Sequence, residues 1–174
     1  MGFVTGVVVP IVVAIIAAVG GLFYIDIKAY LFPDKFSGNW LLVGKEIGDK
    51  PNEYRQFEEQ LTLSSSGGVV SGKGRSGEFE RDYKGFAKGE HIFLSYSTPG
   101  GQGIGVLVLD EQRGLGKEFT GTWKGKDCTV KRIVECPVIL IKGHSGSSEV
   151  TEVRKRYSSL LDGTCRDGSP SQCP

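Results

Sequence analysis

Phe79-Glu-Arg-Asp-Tyr-Lys-Gly-Phe-Ala-Lys88, then Gly89-Glu90, then His91-Ile-Phe-Leu-Ser-Tyr-Ser97, is the stretch that decides the fold. Read two residues apart, Phe79, Arg81, Tyr83, Gly85 and Ala87 share one face of the first segment. Ile92, Leu94 and Tyr96 share the more apolar face of the second. A period of two, interrupted by a turn-forming pair, is the signature of a β-hairpin and not of a helix. The same grammar extends both ways. It predicts strands near Asn39–Lys45, Tyr54–Ser64, Val69–Arg75, Glu78–Lys88, His91–Ser97, Gly103–Asp110, Glu118–Lys126 and Thr129–Ile141, with Gly-, Ser-, Asp- and Pro-rich separators. The chain from Phe36 to Lys142 therefore reads as all-β. Eight antiparallel strands joined in sequence can close into a small up-and-down barrel, which removes sheet edges and encloses side chains or one small ligand. A two-sheet sandwich is the alternative for the same strands.

Alternation also places charge among apolar side chains. Arg81 lies with Phe79 and Tyr83; Lys117 lies with Phe119, Gly121 and Trp123. Arg132 lies with Val130, Val134, Cys136, Val138 and Leu140 if no bulge intervenes. Trp40 and Leu42 come from the first strand, and Tyr96 from the fifth. Guanidinium forks suit phosphate or carboxylate, so Arg81, Arg132 and Lys117 are the candidate contacts to an anionic ligand. Tyr83, Trp40, Trp123 and Tyr96 are the candidate aromatic surfaces for a planar group. The competing reading is that each cation reaches solvent at a barrel mouth or pairs with Glu59 or another acid, and that the aromatics are core.

No catalytic set emerges, and the chain does not read as an enzyme. Gly72-Lys-Gly-Arg-Ser-Gly77 lacks the spacing and following helix of a phosphate loop, and reads as a strand ending in a hairpin. Adjacent Glu58 and Glu59 point to opposite faces of a strand, so they cannot act as an opposed carboxylate pair. His91, Ser95 and Ser97 have no evident acid partner in the sequence and no nucleophile elbow.

The 21 basic and 20 acidic residues nearly balance, which argues against a binder of duplex nucleic acid. Two histidines and no Cys-x-x-Cys pair leave no metal or other cofactor to expect. Cys128, Cys136, Cys165 and Cys173 permit three pairings in an oxidising compartment; in the cytoplasm they read as free thiols.

Residues Met1–Ile25 carry no charged side chain. As a helix this run exceeds the roughly 30 Å of a bilayer's hydrocarbon core. With no basic region before it and a length beyond a signal peptide's apolar core, it predicts a retained single-pass transmembrane anchor, kinked at Pro10. Lys28, Lys35 and Lys45 follow the span, which places the remainder on the cytoplasmic side of an inner (plasma) membrane. The expected organisation is an anchor at 1–25, a connector at 26–35, a barrel at 36–142 and a tail at 143–174. In the tail, Glu149–Leu161 predicts a short amphipathic helix with Val150, Val153, Tyr157, Leu160 and Leu161 on one side. The helix is open to docking on the barrel; its Arg154-Lys155-Arg156 run reads as a solvated face, or instead as a contact to anionic lipid or another subunit. Asp162–Pro174 reads as disordered.

Phe36-Ser-Gly-Asn-Trp40 opening the barrel and Phe119-Thr-Gly-Thr-Trp-Lys-Gly125 late in it, behind an amino-terminal anchor, resemble the membrane-anchored β-barrel cyclic-nucleotide receptor effectors of bacterial anti-phage signalling. Gly-x-Trp openings also occur in many lipocalin-like barrels. The resemblance implies a barrel that binds a cyclic oligonucleotide from a partner nucleotidyltransferase, and a homo-oligomer whose assembled membrane segments damage the inner membrane as an antiviral effector. That family carries two membrane segments, whereas this chain has one clear span. Two other expectations compete. One is an anchored interaction module with a filled barrel. The other is a periplasmic lipocalin-like binder of an apolar ligand, which would have a Cys128–Cys136 or tail disulfide and an interior without the cations.

Overall fold

A computed structural model describes residues 35–47, 53–77, 79–99, 103–127 and 132–170; for Ile47, Asp127, Arg132 and 167–170 the description covers the backbone alone. The expected anchor at Met1–Ile25 and most of the connector lie outside these residues. Among the described residues no helix is long and apolar enough to cross a membrane.

Eight strands follow one another as a meander: β1 Gly38–Ile47, β2 Tyr54–Ser66, β3 Val69–Ser76, β4 Phe79–Lys88, β5 His91–Ser97, β6 Gly103–Glu111, β7 Glu118–Asp127 and β8 Arg132–Lys142. Each pairs antiparallel with the next, and β1 pairs with β8 from Trp40↔Lys142 to Gly44↔Val138, so the sheet closes into a barrel and not a sandwich. The tight β2–β3 turn places Gly67 and Gly68 at φ of 55° and 83°, a conformation that side chains with a Cβ resist.

Inward residues form one core. Near the end where the chain enters, Phe36, Trp40 and Phe119 pack ring to ring with centroids 5.5 to 6.5 Å apart, and Trp40 Nε1 donates to the Phe36 carbonyl at 2.8 Å. Lys35 pairs with Glu111 at 2.7 Å, and Lys142 donates to the Lys35 carbonyl at 2.9 Å. This is the entry end. The opposite, distal end carries the start of β4, the start of β6, the end of β7 and the start of β8.

Outside the barrel, α1 (Ser148–Arg156) and α2 (Ser158–Leu161) lie over β1 and β8. Val150, Val153 and Leu161 bury against Leu41, Val43, Ile139 and Ile141. Ser147 caps α1 by accepting from the Val150 amide at 3.3 Å. The basic run clamps the helix to the barrel: Arg156 donates to both oxygens of buried Glu118 at 2.8 Å, and Arg154 pairs with Glu58 at 2.6 Å. The helical segment breaks at Tyr157, so Leu160 turns outward and leaves the expected apolar face.

The tail departs from expectation. Beyond α2 the chain is not all disordered: Cys165 bonds to Cys136, and β9 (Arg166–Pro170) pairs antiparallel with the distal part of β8. The physical reason lies in β8. Its β1 partner ends at Gly44↔Val138, so its distal half would present an open edge, which β9 covers while the disulfide pins it. The free-thiol reading of Cys136 and Cys165 is thereby corrected. Cys128 and Cys173 lie outside the described residues.

Candidate functional site

Glu59 on β2 and Arg81 on β4 are not sequence neighbours, but β3 between them carries Gly74 opposite both Leu61 and Arg81. A methyl group at Gly74 would overlap Glu59 Oε1 and the Tyr83 ring, so the absent side chain is what lets the carboxylate cross to Arg81. Arg81 Nη1 donates to Glu59 Oε2. Glu59 is 1% exposed and Arg81 20%, an ion pair just inside the distal end.

Aromatic rings wall this pair. Tyr83 and Tyr96 are register partners with centroids 5.9 Å apart, and the Arg81 guanidinium lies 5.6 Å from the Tyr96 centroid, within cation–π range. Tyr96 and Trp123 both fold over Gly125, where a methyl group would overlap the Tyr96 hydroxyl and the indole. Trp123 Nε1 donates to the Lys45 carbonyl at 2.7 Å.

The electrostatics follow from burial. Burial raises the Glu59 pKa above 4.5, and the opposing pull of Arg81 and of the Tyr83 hydroxyl does not restore it. Burial and neighbouring Glu59 push Tyr83 well above 10.0, so it is a neutral phenol. Burial alone would lower Arg81, but Glu59 and the two tyrosines outweigh it and its pKa rises. Two atoms stay unsatisfied: Glu59 Oε1 and Arg81 Nε are buried and have no partner in hydrogen-bonding geometry among the described residues.

Of the residues expected from the sequence, Arg81, Tyr83, Tyr96 and Trp123 come together here, with Glu59 in the acid role weighed for it. Arg132 sits at the distal start of β8, where its backbone pairs with Asp127 and Pro170. Trp40 does not join them: fully buried at the entry end, it is part of the plug. Lys117 departs from the parity expectation. It precedes β7 at the entry rim, is half-exposed, and pairs with Glu149 of α1 at 3.3 Å. Sequence reasoning passed over Gly74 and Gly125; their signal was an inward-phased glycine on a strand, which marks close approach by another group.

Phe79, placed inward by alternation, is 68% exposed at the β3–β4 tip. Gly72–Ser76 is strand β3 and Gly77 its turn, as read from the sequence. Among the described residues no cluster of His, Cys, Asp and Glu could hold a metal ion.

Fold and site define a closed, eight-stranded antiparallel barrel with an aromatic-walled ion pair at the end remote from chain entry. No protein-family model matches the chain, no curated protein matches it, and no solved structure matches it.

Proposed function

We propose that the chain is a membrane-tethered ligand sensor. In this reading the distal end of the barrel binds an anionic small molecule bearing a planar group, with a cyclic oligonucleotide the leading candidate, and occupancy promotes association of copies at the membrane. The observation that carries the reading is the Arg81 guanidinium: fixed by Glu59, lying over Tyr96, with a buried Nε that lacks an acceptor among the described residues. A buried unsatisfied donor costs about 1–3 kcal/mol, and an incoming phosphate or carbonyl oxygen relieves that cost. Tyr96, half-buried beside the guanidinium, offers a face for a base. The raised Glu59 pKa fits the same chemistry, because a carboxyl that accepts a proton more readily repels an arriving anion less. Arg132 joins the set through its strand position alone. Ligand drives assembly in this scheme only by preferring the associated state.

One observation favours a second reading of location. A disulfide such as Cys136–Cys165 persists in oxidising compartments and is rare in the cytoplasm, so it favours a barrel on the extracytoplasmic face that binds an external ligand.

Calorimetric titration of the full chain in detergent with cyclic di- and trinucleotides tests the sensor reading. Saturable binding is expected, weakened at least about tenfold by Tyr96→Leu, the equivalent of roughly 1.4 kcal/mol. Removing both charges together, as Glu59→Met with Arg81→Met, avoids orphaning either one and should abolish binding while the barrel stays folded. Unchanged affinity in that double variant would remove the ion pair from the site.

A further inference from the structure

Trp40-Leu-Leu-Val43 on β1 and Val138-Ile-Leu-Ile141 on β8 are apolar on both faces, and each has its outer face covered by α1 and α2. Strand β6 carries the same signature in Val106-Leu-Val-Leu109, with no described residue packed over its outside. Leu107 and Leu109 point into the core, while Val106 and Val108 point out, with Val106 46% exposed. The outward apolar surface continues across neighbouring strands. Register pairing aligns Val69, Phe86, Phe93 and Val108 in one row over β3, β4, β5 and β6, and Phe86 stacks on Phe93 at 4.9 Å with 53% of its surface exposed. Ile104 extends the stripe along β6 toward the distal end. A contiguous apolar stripe on an outer wall marks an interaction surface.

Charge says what kind. Lys84 and Lys88 flank Phe86 along β4, and Lys124 is the register partner of Val106. The ammonium groups of these three lysines have no ion-pair or hydrogen-bond partner among the described residues. Of the nearby acids, Glu80 and Asp110 are engaged by Lys73 and His91, while Asp82 shares the outer face of β4 with Lys84 and Glu135 is the register partner of Lys124. An anionic bilayer surface suits the wall, taking aromatic and β-branched side chains at the acyl boundary and lysines at the headgroups. Position agrees: the row begins at the entry end, and the ten residues 26–35 that link the uncharged run to the barrel can extend about 33–36 Å. We infer that the β3–β6 wall docks the barrel sideways onto an anionic membrane surface. This rests on the proposed tether for the bilayer's nearness, and on no ligand.

The test reconstitutes the full chain, with Phe86→Trp as reporter, in phosphatidylcholine vesicles with and without phosphatidylglycerol, some carrying brominated acyl chains. The inference expects a blue-shifted reporter, strongly quenched in the anionic vesicles and weakly in the neutral ones, and loss of that quenching in the Lys84→Glu, Lys88→Glu, Lys124→Glu variant. Val106→Trp is the second reporter, in case the Phe86 stack is disturbed. Absence of quenching in both lipids overturns the inference. So does quenching indifferent to lipid charge, and so does reporter burial that follows the protein-to-lipid ratio, which identifies a second copy as the occupant. Carbonate extraction of the same vesicles separates the tether: release of the chain ends the tether reading, whereas quenching by brominated lipid decides whether the wall docks.

Discussion

Trp123 reaches across the barrel seam to Lys45: its indole Nε1 donates to the Lys45 carbonyl at 2.7 Å. The contact falls just beyond Gly44↔Val138, the last pairing between β1 and β8, so the carbonyl it satisfies would otherwise lie on the open edge of β1, whose other edge stays paired with β2. Lys45 meanwhile turns its ammonium to the Gly163 carbonyl at 3.0 Å, holding the end of the helical segment to the same place. Seam, tail and site therefore share one structural corner.

Trp123→Phe keeps a ring over Gly125 but leaves the Lys45 carbonyl without its donor. The expected cost is about 1–3 kcal/mol, read from chemical denaturation, with faster amide exchange in β1 beyond Gly44.

Cys136 and Cys165 close a loop of 29 residues, and the bond pins β9 to the exposed half of β8. Reduction, or Cys136→Ser with Cys165→Ser, should lower stability by about 2–4 kcal/mol while the eight barrel strands persist. Alkylation of the protein as isolated from cells, followed by mass spectrometry, should find these two thiols blocked.

Glu59 binds its proton more tightly in the folded chain than in the unfolded one, because burial raises its pKa above 4.5. Between those two values the folded state holds more protons, so its contribution to stability is intact below the window and is lost as pH rises through it. Glu59→Gln does not titrate. The stability of the wild type relative to Glu59→Gln should therefore fall as pH is raised from about 4.5, and a difference flat with pH would contradict the assignment.

Val153 is buried between α1 and the β1–β8 wall. Val153→Ala should cost about 1–3 kcal/mol, and Ile139→Ala, which empties the facing position, about 2–5 kcal/mol. Both should release the helix before the barrel melts, visible as early proteolysis after Gly143.

Strand existence and facing were legible because alternation is local: Tyr83, Ile92, Leu94 and Val138 all point where period two puts them. Depth along the barrel was not. Trp40 and Trp123 share the inward face, yet register places one in the entry plug and the other at the distal site, and register is a property of the whole sheet. Lys117 was misplaced because parity was carried one residue past the strand. Strand β9, Arg-Asp-Gly-Ser-Pro, has no strand signal of its own; a disulfide and a vacant edge create it. The helix docking site was encoded in the doubly apolar runs Trp40–Val43 and Val138–Ile141, which mark strands buried on both faces.

The sensor reading is tested most directly by thermal unfolding of the full chain in detergent with cyclic di- and trinucleotides, and with fatty acids as controls. A ligand at a hundred times its Kd that binds only the folded state adds about 2.7 kcal/mol, a clear rise in Tm. The account predicts that rise for one cyclic nucleotide, absent with fatty acids and absent from the Glu59→Met, Arg81→Met double variant. A Tm unmoved by every nucleotide, or raised equally in the double variant, would contradict it.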